Sequence, residues 1–273
     1  MHIKKKTKTP KGIGSSYSPI VPAVEQASRI LFCLGESSNP RMGLTEICKE
    51  LGIHKSKAFS ILHTFQQFGL VEKEPQTKMY SLGFGLLSLT RHLLDDLHCV
   101  EVATPFLQQL AKETEETASF GLINKDYLIV VLKFEGSSGM GLTLRLGHRF
   151  HIYTGSVGKA IAAFMPEADR KELFAKTKLY FYGDPSRLDK KRLEDEFIEC
   201  RKLGYAKDMG ELRPGINFIS SPVFNLQKTI IGCITLLGTF PKRKVEEYGR
   251  EVTRIAKQVS QKLGADIETI YPK

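Results

Sequence analysis

The chain has 273 residues, 41% hydrophobic and 26% charged, a composition that excludes a wholly disordered or fibrous protein. At ~150 residues per domain, that length fits one large domain or two ordinary ones. Its net charge of +10 is unevenly spread: residues 1–14 hold five lysines and no acid, whereas residues 15–82 hold seven basic and six acidic side chains. Such a basic tail suits a polyanion, which rewards clustered lysines through counterion release; the plain alternative is a solubilising tail. No apolar run approaches the ~20 residues that span a bilayer, and no apolar segment follows the basic start as in a secretory signal. The five cysteines (Cys33, Cys48, Cys99, Cys200 and Cys233) are odd in number and contain no CxxC pair. They argue against a disulfide framework or a cysteine-based structural zinc site and for a reducing cytoplasm, and the lack of a spanning run leaves no membrane partner expected.

Residues 1–20 are rich in Lys, Gly, Ser and Pro and lack core-forming side chains, so a disordered tail is expected there. From Val21, Ala23, Ala27, Ile30, Leu31 and Leu34 recur at helical spacing until SSNPRMG breaks the run. Thr45 is placed to N-cap a second, short helix, with Ile47 and Leu51 inward and Gly52 closing it. A third helix is predicted from His54 or Lys55 to Phe68, with Ala58, Ile61, Leu62, Phe65 and Phe68 as its apolar stripe and Gly69 as its stop. Two extended runs, Leu70–Glu72 and Met79–Leu82, joined by the polar turn Lys73–Lys78, predict a hairpin. An amphipathic helix over Phe84–Leu97, with Leu86, Leu87, Leu93, Leu94 and Leu97 apolar, is suited to link two domains or to pair with a second chain. The domain boundary falls near residue 98.

The second segment predicts a helix over Val102–Thr114 and strands at Ala118–Ile123 and Tyr127–Phe134. Helices opening at Gly155-Ser156 and spanning Glu167–Ala175 and Lys190–Leu203 come next. Strands at Ile216–Val223 and Ile230–Leu237 then precede a terminal helix from Lys244 to Glu268. Strands in hairpin order among helices indicate an α+β domain with an antiparallel sheet.

The sharpest local signal is LTEICKELGIHKSKAFSILHTFQQFGLV, residues 44–71, a helix-turn-helix pattern. Ile47, Leu51, Ile53, Ala58 and Leu62 lock the two helices, which frees the outer face of the second for a DNA major groove. That face offers His54, Lys55, Ser56, Lys57, Ser60, His63 and Thr64, without an acid between Lys55 and Phe68. Thr45 or Lys49 from the preceding helix, and Lys78 from the hairpin, are placed for phosphate contacts. The alternative is a helical core with a merely solvated polar face; the cleared acids and the following hairpin favour double-stranded DNA.

With these motifs in place, the chain resembles the IclR-type bacterial transcriptional regulators over residues 21–270. The resemblance rests on the helix-turn-helix, on YSLG (Tyr80–Gly83), RLG (Arg145–Gly147) and GSVGKA (Gly155–Ala160), and on GYAKDMGELRPGINFISSPVF (Gly204–Phe224). It implies a winged helix-turn-helix over 21–82, a linker and dimerisation helix over 83–98, and a GAF-like effector-binding domain over 99–273. It further implies a homodimer or homotetramer on operator DNA, whose binding a small effector modulates; a repressor is preferred to an activator, a choice that depends on where the operator lies relative to polymerase. Carried over position by position, the effector pocket would comprise Met140, Gly141, Leu142, Ser156, Val157, Asp208, Phe218, Thr235 and Leu237. The N–H groups of Ser156 and Val157, at a helix N-terminus, suit a carboxylate. Phe218 and Leu237 are more apolar than the pattern of members that bind small keto acids, which points to a larger or aromatic acid. Ser60 stands where many relatives carry arginine, so Lys57 and His63 would carry more of the readout.

Other signals carry less. His148 and His151 form an HxxH, but the segment reads as loop or strand, and ordinary histidines are preferred to a metal site. EGSSGMG lacks the spacing and the Lys-Ser/Thr of a phosphate-binding loop. Ser15, Ser16 and Ser18 have no motif beside them that suggests a nucleophile. No catalytic arrangement stands out, so no enzymatic activity, cofactor or metal is expected. The competing class is a small-molecule-binding or enzymatic GAF-like protein with an idle helix-turn-helix.

Overall fold

The computed structural model describes residues 20–36, 39–95, 98–137, 144–175 and 179–271, and of residues 36 and 91–95 the backbone alone. The chain divides into two compact units, Met1–Leu94 and Asp95–Lys273. The expected disordered tail lies outside the described residues but for Ile20. So do the loop carrying Met140, Gly141 and Leu142, and Leu97 of the linker.

The first unit is a three-helix core with a two-stranded wing. Helix α1 (Pro22–Glu36) opens on a proline, whose missing N–H costs nothing at a first helical position. Helix α2 (Leu44–Leu51) differs from expectation at its start. Gly43, not Thr45, is the N-cap residue, and its N–H donates to Glu46 Oε2 at 2.6 Å; Thr45 lies one position inside the helix with its side chain exposed. Gly52 ends α2 in the left-handed region, at φ +66°. Helix α3 (Lys55–Gln67) buries Ala58 and Leu62. These pack with Ile30, Leu34, Ile47, Ile53, Val71 and Tyr80 in one core, while Leu51, Ile61 and Phe65 flank it. Phe68 is 72% exposed just past the helix, because the chain turns at Gly69 (φ +67°) before Phe68 can join the stripe.

Strands β1 (Val71–Lys73) and β2 (Tyr80–Leu82) pair antiparallel, and Met42 extends the wing through mutual backbone hydrogen bonds with Tyr80. Helix α4 (Gly85–Asp95) follows. At its start two segments cross closely: Gly83 N–H donates to Leu70 O and Gly85 N–H to Gly69 O, both at 2.9 Å. A Cβ on either glycine would strike the Gly69 carbonyl oxygen, so this crossing requires glycine.

The second unit contains α5 (His98–Thr114), β3 (Thr117–Asn124), β4 (Tyr127–Phe134), β5 (Arg149–His151), α6 (Gly155–Phe164), α7 (Glu167–Ala175), α8 (Lys190–Leu203), β6 (Ala206–Met209), β7 (Asn217–Phe224), β8 (Ile230–Gly238), α9 (Val245–Lys262) and α10 (Ile267–Ile270). The long terminal helix expected to reach Glu268 is two helices, because the chain turns at Gly264 with φ +87°. The strands form one antiparallel sheet in the order β5-β4-β3-β8-β7-β6.

Strand alternation divides the sheet into two chemically different faces. Ala118 and Phe120 of β3, Ile219 and Val223 of β7, and Ile234 and Leu236 of β8 pack with α5 and α9 in an apolar layer. Their neighbours in sequence, Ser119, Ser220, Cys233, Thr235 and Leu237, belong to the other face, where α6 and α8 lie. The fold is thus an α+β, GAF-like layer structure whose polar sheet face is turned toward the N-terminus of α6.

Candidate functional site

The first candidate surface is the outer side of α3. A helix that buries Ala58 and Leu62 turns Ser56, Ser60, His63 and Gln67 directly away from the core. Lys57 and Thr64 flank that row on one side, and Phe59 on the other. His54, Lys55, Ser56, Lys57, Ser60, His63 and Thr64 are all exposed, as are Thr45 on α2 and Lys78 in the wing turn. His54 is the N-cap residue, and its Nδ1 lies 2.9 Å from Ser56 Oγ. Ser60 and Thr64 each donate their hydroxyl to the carbonyl one turn back, at 3.0 Å. Their lone pairs stay free to accept from a base amine. Phe59 and Gln67 were missed in the sequence: Phe59 is 49% exposed, stacks on His63 at 6.3 Å, and lies 5.9 Å from Lys73 Nζ on the wing. Its apolar type hid it, although its spacing from Ala58 excluded it from the stripe. Lys78 holds φ +60°, which turns the chain back into β2.

The second is a cavity of about 270 Å3 in the second unit. Ser119, Thr235, Leu237 and Phe218 reach it from the sheet, Ser156 and Val157 from α6, and Phe150 from β5. The register explains the convergence, since Ser119 pairs with Thr235, Thr235 with Ser220, and Leu237 with Phe218. Three hydroxyls form a chain, with Ser156 Oγ 2.8 Å from Ser220 Oγ and Ser220 Oγ 2.9 Å from Thr235 Oγ1. Two hydrogen bonds consume two of the three protons, which leaves one to offer a ligand. At the start of α6, Thr154 does not cap the helix through its side chain. Among the described residues, the N–H groups of Ser156 and Val157 find no acceptor. The cavity therefore meets an open helix N-terminus, where orphan donors and the positive dipole end favour an anion.

Asp208 is not among the lining residues. It is fully buried and accepts from the N–H of Glu211 at 2.8 Å and of Leu212 at 3.1 Å. Burial pushes its carboxyl up, against those hydrogen bonds. It shapes the loop between β6 and β7, which delivers Leu212, Arg213 and Ile216 to the cavity. The sequence offered little sign of Arg213, whose place depends on that loop's path.

His148 lines the cavity beside Phe150, whereas His151 packs its ring against Tyr127, Tyr153 and Tyr180. Residues three apart along extended backbone face opposite sides, so the HxxH does not converge. Among the described residues no group of three or more His, Cys, Asp or Glu side chains is placed to hold a metal. Nor, among them, is any helix long and apolar enough to cross a membrane.

Both units match models of known protein domains. The family model described as the bacterial transcriptional regulator IclR C-terminal domain matches residues 91–265, and the IclR helix-turn-helix model matches residues 23–75. The chain is 25% identical over 218 residues to the HTH-type transcriptional regulator XynR of Escherichia coli K12, covering 80% of this chain and 86% of that one. It is 27% identical over 227 residues to BhcR of Paracoccus denitrificans, covering 83% and 81%. An IclR transcriptional regulator from Alicyclobacillus acidocaldarius superposes with a TM-score of 0.75 at 26% identity, over 90% of this chain and all of that one. An IclR homologue from Microbacterium hydrocarbonoxydans, solved with 4-hydroxybenzoate, shares the fold at 16% identity, with a TM-score of 0.74 over 89% of this chain and all of that one. Winged helix, α+β domain and relatives together define a DNA-binding transcriptional regulator. The chain belongs to the IclR family of bacterial transcriptional regulators.

Proposed function

We propose that this regulator reads operator DNA with the outer face of α3 and responds to a small carboxylate held in the second unit. The observation that carries the DNA reading is the exposed face around Ser56, Ser60 and His63, flanked by Lys57 and cleared of acids from Lys55 to Phe68. On this reading α3 enters the major groove, Thr45 and Lys78 hold phosphates on either side, and Lys57 and His63 meet base edges. The chain works as a cytoplasmic homodimer or homotetramer on paired half-sites, and as a repressor.

The effector reading rests on the cavity's own lining. Its volume falls just below the ~300–1,000 Å3 usual for ligand sites, which suits a single-ring or short-chain acid. Phe150, Phe218, Leu128, Val130 and Leu237 offer an apolar seat for a ring, and Ser156 and Val157 offer donors for its carboxylate. The ligand shifts the balance between DNA-competent and DNA-incompetent arrangements by as much as its affinities for them differ. Mobility-shift assays with the DNA flanking the protein's own gene test the reading. A sequence-specific shift whose midpoint moves with aromatic acids is expected; a specific shift that only glyoxylate or pyruvate moves would overturn the choice of acid.

A further inference from the structure

The polar lining of the cavity is chemically lopsided. Ser119, Thr154, Ser156 and Thr235 supply hydroxyls and His148 an imidazole, but Arg213 alone among the described lining residues carries a fixed charge. Two acids stand close to it in sequence, and the structure turns both elsewhere. Asp208 is buried, with its oxygens on the N–H groups of Glu211 and Leu212. Glu211 points its carboxylate at Lys159, at 3.0 Å, and at Arg192. Arg187 Nη1 donates to the Glu211 carbonyl oxygen at 3.1 Å, and Leu212 packs against Gly155, where a Cβ would come within 3.2 Å of it. The backbone on the N-terminal side of Arg213 is therefore gripped from three sides. Arg213 is exposed, and among the described residues its side chain makes no hydrogen bond or ion pair.

A held backbone that brings an unengaged arginine to the same cavity as an open helix N-terminus suits a planar anion, because the guanidinium fork matches a carboxylate with two parallel hydrogen bonds. We infer that Arg213 is the specificity-determining residue of this cavity, selecting a carboxylate over its neutral isostere. The inference rests on the effector reading above and adds the residue that sets the charge preference. The hydroxyls can donate to a carboxylate and both donate to and accept from an amide, so without Arg213 the preference falls to what these neutral donors and the helix N-terminus supply.

Calorimetry on the full chain tests it, with benzoate, 4-hydroxybenzoate and phenylacetate set against the corresponding amides. At least one acid should bind the natural protein more tightly than its amide. In Arg213→Gln the affinity for that acid should fall about tenfold to a hundredfold, the worth of a charged hydrogen bond, with the amide unchanged. Arg213→Lys should recover part of the loss. If Arg213→Gln keeps the full preference for acid over amide, the inference is overturned while the effector reading survives. Failure of every acid to bind the natural protein overturns the effector reading itself.

Discussion

Lys159 offers the sharpest test of how the second unit is held together. It projects from α6 and is 1% exposed, with Nζ 2.9 Å from Glu196, 3.0 Å from Glu211 and 4.4 Å from the centre of the Tyr182 ring. Arg192 pairs with the same two glutamates, and Tyr182 donates its hydroxyl to Glu196. The network is balanced, with two cations against two carboxylates. Lys159→Met keeps much of the volume and leaves two glutamates to one arginine. Removing one partner from a buried network costs about 3–5 kcal/mol, since an uncompensated charge stays behind. Against a typical total of ~5–15 kcal/mol, that is a large share. Urea unfolding followed by circular dichroism at neutral pH and fixed protein concentration should show this loss in the transition of the second unit. Glu196→Gln added to Lys159→Met restores the charge balance and should regain part of it.

The pH dependence follows from Glu211. Burial works to raise its carboxyl, but the hydrogen bond from Arg192 and the charge of Lys159 outweigh burial and hold it below the ordinary range. A depressed carboxyl contributes stability that is present above the unfolded value of ~4.3 and is lost as pH falls through the folded one. The gap between the natural protein and Lys159→Met should therefore narrow below about pH 4.3. A loss under about 1 kcal/mol at neutral pH, the size of an exposed pair, would refute the reasoning.

Other consequences are simpler to check. Lys57→Ala should weaken specific DNA binding by about 1–3 kcal/mol and relax base preference at one position of the half-site; unchanged affinity and preference in a binding titration would show that Lys57 meets no base. Gly83→Ala should destabilise the first unit by about 1–3 kcal/mol or more, because the new methyl meets the rigid Gly69 carbonyl; a natural melting temperature would show that the crossing gives way. Burial pushes the Cys200 and Cys233 thiols far up, with Arg201 and then Glu199 as smaller influences on Cys200 and a further upward push from Cys200 on Cys233. In a native thiol-reagent assay only Cys33, Cys48 and Cys99 should react, and labelling of all five before unfolding would contradict the burial.

The DNA-facing half was largely legible because its signals are local. Helical period, the Gly52 turn and the absence of acids along α3 all lie within ~30 residues, and α3 begins at Lys55 as its polar start suggested. Two errors there share a cause. Thr45 is a good capping type, yet Glu46 caps Gly43 one turn earlier, and Phe68 has the right period but lies beyond the point where the chain turns. The cavity was less legible because sheet register builds it. Thr235 and Leu237 are two apart on one strand, a spacing visible in sequence, whereas Ser119 and Ser220 reach the same place only through pairing with β8. The resemblance put Asp208 in the pocket, but the alternation of β6 buries it behind the lining and leaves Met209 partly exposed. Strands β5 and β6, of three and four residues, were too short to show a period.

The central claim, that the α3 face reads a particular DNA sequence, is tested most directly by one ratio. Fluorescence anisotropy at fixed salt would compare binding to the DNA flanking the protein's own gene with binding to scrambled DNA of equal length. A preference of about a thousandfold or more is expected, the usual margin of specific over non-specific binding, and it shrinks when Lys57 and His63 are both changed to alanine. Equal affinity for both fragments, or a preference that survives the double change intact, would contradict it.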